Sequence, residues 1–118
     1  MSGEMRFLIV EDDEDGGFLI ERALRRKFAG AEIQMVRDGD AARAAAATGT
    51  WRGFIVHRSL DVDGLEVVRR LRAINRTIPI VFISGRDQST TAVAAGATQF
   101  VRYSDWQTLG VVFEGVAE

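Results

Sequence analysis

Four apolar residues, Phe7-Leu8-Ile9-Val10, run without a polar interruption into three acids, Glu11-Asp12-Asp13. An unbroken apolar run of this length suits a strand buried on both faces of a parallel sheet. Two shorter runs repeat the theme, Phe54-Ile55-Val56 and Ile80-Val81-Phe82-Ile83, the latter opened by the only proline, Pro79. Proline is tolerated there because a strand's first residue donates nothing to the ladder inside it. Ala31 to Val36 and Thr98 to Arg102 complete a set of five predicted strands.

The stretches between the strands change period from two to 3.6. Ile20, Ala23, Leu24 and Phe28 form one helical face, with Asp15 expected to cap that helix and Gly30 to close it. Asp38-Gly39-Asp40 starts a second helix, alanine-rich from Ala41 to Ala47 and ended by Thr48-Gly49-Thr50. In the third helix Val67, Val68, Leu71 and Ile74 are expected to face inward, and Arg69, Arg70 and Arg72 outward. A short helix from Ser89 to Ala95 and a last one carrying Leu109, Val112, Phe113 and Val116 follow, with Trp106 at the start of the latter. Strand and helix alternate five times without repeats or linkers. That pattern predicts one parallel sheet between helix layers, joined by right-handed crossovers, with residues 1–118 as a single domain.

Such sheets place ligand sites at the carboxyl ends of their strands, which is where Glu11, Asp12 and Asp13 fall. Three adjacent carboxylates repel one another unless a cation or a basic side chain answers them. Composition narrows the choices. The net charge of −2 gives no electrostatic case for nucleic acid, and the absence of cysteine excludes disulfides and thiolate metal sites. No apolar run reaches the roughly 18 residues of a membrane helix, and no signal peptide opens the chain, so a cytoplasmic protein is expected. Lys27 is the only lysine.

From end to end the chain resembles the receiver domain of bacterial response regulators. The resemblance rests on Leu8-Ile9-Val10-Glu11-Asp12-Asp13, on Asp38-Gly39-Asp40-Ala41-Ala42 and on Asp63-Gly64-Leu65-Glu66-Val67-Val68-Arg69-Arg70-Leu71-Arg72. It continues through Pro79-Ile80-Val81-Phe82-Ile83-Ser84-Gly85 and Gly96-Ala97-Thr98-Gln99-Phe100-Val101. The resemblance implies a flavodoxin-like (βα)5 sandwich with strand order 2-1-3-4-5. It also implies a module of two-component phosphorelay signalling. In that family two acids and an aspartate ending the third strand hold Mg²⁺. The aspartate accepts a phosphoryl group, and a hydroxyl and a lysine contact it.

Carried over by residue, Asp12 and Asp13 match the two acids and are the expected acidic pocket and metal ligands. Ser84 matches the hydroxyl, and Phe100 the aromatic that changes rotamer on activation. The acceptor position falls on Arg58, on His57 one residue earlier, or on Val56 when counted back from Asp63-Gly64. None of the three is a carboxylate. If Arg58 is the equivalent, the loop to Asp63-Gly64 is two residues shorter than the family's, and its usual Met-Pro is missing. Tyr103 stands at the lysine position and Ser104 where a proline usually follows; Arg102 is adjacent but on the opposite face of the strand.

These departures predict an atypical, phosphorylation-independent receiver, not an enzyme, that acts through protein–protein contacts. The expected partner surface is the face of the fourth helix, fifth strand and fifth helix, where Trp106 lies. Arg58, always charged and able to bridge two carboxylates, is the expected built-in cation in place of Mg²⁺. No cofactor is expected, with residual Mg²⁺ at Asp12 and Asp13 left open. Two alternatives stand beside this reading. A relocated acceptor at Asp61 would restore the switch. A small Mg²⁺-dependent phosphatase is the other, from the likeness of Asp13-Glu14-Asp15-Gly16 and Ser84 to haloacid dehalogenase motifs; the lack of a catalytic lysine opposes it. His57, the sole histidine, reads as a polar strand-end residue for want of partners in the sequence.

Overall fold

In the computed structural model, residues 5–57 and 63–116 are described, with side chains through Phe113. Five parallel strands stand in the order β2-β1-β3-β4-β5. They are β1 (Arg6–Val10), β2 (Glu32–Val36), β3 (Gly53–His57), β4 (Ile80–Ser84) and β5 (Gln99–Arg102). The helices are α1 (Glu14–Lys27), α2 (Gly39–Ala46), α3 (Gly64–Ile74), α4 (Ser89–Ala95) and α5 (Leu109–Val116), the last preceded by a 3₁₀ segment, Tyr103–Thr108. This is the flavodoxin-like sandwich expected from the sequence.

Alternation along the buried strands divides the core in two. Phe7, Ile9, Ile55, Val81, Ile83 and Val101 face α1 and α5, where they meet Ile20, Leu24, Leu109 and Phe113. Leu8, Val10, Phe54, Val56, Ile80 and Phe82 face the other layer, against Ala42, Val67, Val68, Leu71 and Ala92. Every one of these side chains is buried, so the continuous apolar runs are explained by helices covering both faces. No helix among the described residues is long and apolar enough to cross a membrane.

The local departures from expectation have physical causes. The cap of α1 is Asp13, not Asp15: its side chain accepts from the Asp15 amide and its backbone is extended. The same helix ends at Lys27, with Phe28 at its carboxyl cap, so Gly30 does not close it. Ile74 is exposed, because α3 reaches its last turn there and the chain leaves the layer. Arg72, expected outward, turns back onto the β4–β5 junction and binds the carbonyls of Gly96, Asn75 and Ile78 and the Thr98 hydroxyl. Gly96, the carboxyl cap of α4, has φ of 118°, a conformation that side-chain-bearing residues rarely adopt. Trp106 lies within the 3₁₀ segment and not in α5 itself.

Candidate functional site at the carboxyl edge of the sheet

Register brings the site together. Val10 lies opposite Val56 on β1 and β3, so the next residues, Glu11 and His57, meet at the strand ends. Both continue the alternation that points Phe7, Ile9 and Ile55 toward α1 and α5. His57 in turn lies opposite Ile83 on β4. Glu11 is 1% exposed, yet both carboxylate oxygens are used. Oε1 pairs with His57 Nδ1, and Oε2 accepts from the Asp13 amide at 3.1 Å.

Tyr103, just beyond β5, lays its ring on the imidazole, with centroids 4.7 Å apart and planes inclined by 19°. Gly16 on α1 makes room for the cluster. A Cβ there would stand 3.0 Å from Glu11 Oε1 and 3.2 Å from the Tyr103 hydroxyl oxygen, so a larger residue would push on both. Burial holds the phenol of Tyr103 above its ordinary range. The charges of Glu11, Asp13 and Asp15 add to the effect in that order.

Asp12 is half-buried and Asp13 exposed, its carboxylate committed to the start of α1. The acid that enters the site is therefore Glu11, not Asp13. The stretch Asp13-Glu14-Asp15-Gly16 forms the cap and first turn of α1. Ser84, the last residue of β4, is 1% exposed; its hydroxyl donates to Gln88 Oε1 at 2.9 Å and accepts from the Arg86 amide at 3.3 Å. Phe100 lies half-buried on the other layer, 6.3 Å from the Phe82 ring. Val56 is fully buried among the α3-side residues, so it faces away from the edge. Arg58 and Asp61 fall outside the described residues.

No group of three His, Cys, Asp or Glu residues is placed to hold a metal among the described residues, and Glu11 is bonded to an imidazole. Sequence reading placed Glu11 at the ligand edge but left it out of the matched acid pair, and so missed it as the partner of His57. The signal was present: Glu11 has the parity of Phe7 and Ile9, and His57 that of Ile55.

A parallel sheet in the order 2-1-3-4-5, with a polar cluster where β1, β3 and β5 end, is compatible with a receiver-type module. The response regulator receiver domain family matches residues 7–103, and the chain belongs to that family. It is 31% identical over 100 residues to the transcriptional regulatory protein PrrA of Mycobacterium tuberculosis, covering 81% of this chain and 42% of that protein. It is 31% identical over 103 residues to the response regulator MprA of Mycobacterium avium, covering 82% and 43%. The chain thus spans less than half the length of the curated relatives it matches. A response regulator from Hahella chejuensis superposes with a TM-score of 0.81 at 25% identity, covering 98% of each chain.

Proposed function

We infer that this receiver domain signals through protein–protein contacts without an acyl phosphate on an aspartate of the usual kind. The observation that carries the reading is the Glu11–His57–Tyr103 cluster. One of the edge acids is answered by an imidazole, and an aromatic ring stands where the family keeps its lysine. The cluster ties β1 to β3 and is covered from β5 by the Tyr103 ring. Arg58 remains the candidate for an internal cation beside Asp12. Residual Mg²⁺ has no support from the donor arrangement around Glu11. The partner face we favour is that of α4, β5 and α5, where Val93 is 56% exposed and Trp106 half-buried.

Incubation with acetyl phosphate and Mg²⁺, followed by intact mass measurement, tests this. No acid- and alkali-labile adduct is expected. An aspartyl adduct would overturn the reading, and its loss in an Asp61→Asn variant would establish the relocated acceptor instead.

A further inference from the structure

The Glu11–His57 pair has a chemical capability beyond filling a pocket. A buried carboxylate at Nδ1 fixes the imidazole tautomer with its proton on that side, which leaves the lone pair on the other nitrogen. No described residue hydrogen-bonds Nε2. Tyr103 covers one ring face, yet the His57 side chain keeps 16% of its exposure while that of Glu11 keeps none. The carboxylate is itself held in place by the Asp13 amide. A nucleophile oriented by a base, which is oriented in turn by a third group, is the arrangement that covalent chemistry requires.

Charge along the edge is divided. Acids lie on the β1 side, and the exposed Arg86 and Arg102 lie on the β4 and β5 side. Arg102 is near enough to act on the Asp87 carboxylate. His57, on β3, stands between the acids of β1 and these arginines, which share their side with the Asp87 carboxylate.

We propose that His57 Nε2 is a phosphoryl-accepting nucleophile toward small N-phosphoryl donors, with Glu11 as its positioning residue. With phosphoramidate as donor, the Nε2 lone pair attacks phosphorus and the Nε2–P bond forms. The donor's P–N bond breaks, and its electron pair leaves on ammonia. The ring becomes an N-phosphorylated imidazolium that keeps its Nδ1 proton, and the Glu11 carboxylate offsets the positive charge. No other proton moves and no oxidant is needed. This goes beyond the function inferred above; the two share only the premise that no acyl phosphate forms.

The test uses the full chain, phosphoramidate with and without Mg²⁺, and intact and fragment mass spectrometry. One phosphoryl group is expected on His57, stable in alkali and lost in mild acid, as an N–P bond behaves. His57→Gln should abolish it. Glu11→Gln should slow its formation roughly tenfold or more. In the same variant the ¹⁵N spectrum of the sole imidazole should lose its fixed Nδ1–H tautomer, a change that loss of packing alone does not produce. If His57→Gln fails to fold, fragment mapping of the wild-type adduct decides the site. No adduct, an adduct on another residue, or a Glu11→Gln variant that reacts at the wild-type rate overturns the proposal. An adduct on aspartate, labile in both acid and alkali, overturns the earlier reading as well.

Discussion

Arg72 offers the sharpest quantitative test of how this fold is held together. Its guanidinium donates to the carbonyls of Ile78 at 2.8 Å, Gly96 at 2.9 Å and Asn75 at 3.1 Å, and to Thr98 Oγ1 at 3.1 Å. These acceptors come from the end of α3, the approach to β4 and the turn between α4 and β5, so one side chain joins three segments. Burial lowers the pKa of the guanidinium from its usual value, a sign that it is partly withdrawn from water. Replacing Arg72 by Met keeps much of the stem's packing and deletes all four bonds. A bond from a charged donor contributes about 1.5–3 kcal/mol when well shielded, and a neutral one about 1 kcal/mol. For a half-buried group with neutral acceptors, the lower figure applies, reduced further where water can take over. A loss of about 2–3 kcal/mol follows, a substantial part of the 5–15 kcal/mol typical of a domain. At roughly 4 °C per kcal/mol for this size, Tm should fall by about 10 °C. Arg70→Met is the control. Its partners Glu66 and Asp40 are exposed, at 3.2 and 3.4 Å, and exposed pairs contribute under about 1 kcal/mol. Urea unfolding of both variants, with unchanged slope, measures the difference. If Arg72→Met lies within about 0.5 kcal/mol of Arg70→Met, the clamp assigned to Arg72 is wrong.

Three further outcomes are expected. Tyr103 is the only tyrosine, so alkaline spectrophotometric titration reads it directly: ionisation should occur above the ordinary phenol range, and Glu11→Gln should bring it partly down, burial being the larger cause. A raised phenol pKa means the folded state holds its proton longer, so the stability it contributes is complete below about pH 10 and declines as pH rises through the folded value. Gly53→Ala would drive a Cβ into the Phe113 ring, at a cost of about 1–3 kcal/mol in thermal unfolding, and Phe113→Leu in the same chain should recover part of it. Asp13→Ala should destabilise by about 1 kcal/mol and more than Asp15→Ala; equal effects would contradict the cap assigned to Asp13.

Hydrophobic order carried most of the architecture into the sequence. The runs 7–10, 54–56 and 80–83 read as doubly covered strands, and each is fully buried. What periodicity failed to convey was the destination of long or polar side chains. Arg72 was placed outward because charge correlates with exposure, but a guanidinium on a flexible stem can return to carbonyls that local structure leaves open. Asp13 and Asp15 are both credible caps two residues apart, and the choice depends on where the backbone turns helical. At the site, a run of three acids invites reading as one group. Strand parity separates them: Glu11 goes inward to His57, and Asp13 goes to the helix. The partner of Glu11 lies 46 positions away, so only strand register makes the pair visible.

The cluster at the strand ends has one more implication. An ion bridging carboxylates can be diluted, chelated or outcompeted; an imidazole tethered by its own backbone cannot leave, and its local concentration is set by the fold. On the reading proposed above, a receiver fastened in this way would lose nothing to a chelator. Its output would then follow how many copies the cell makes and who is present to meet them, more than the supply of any divalent ion.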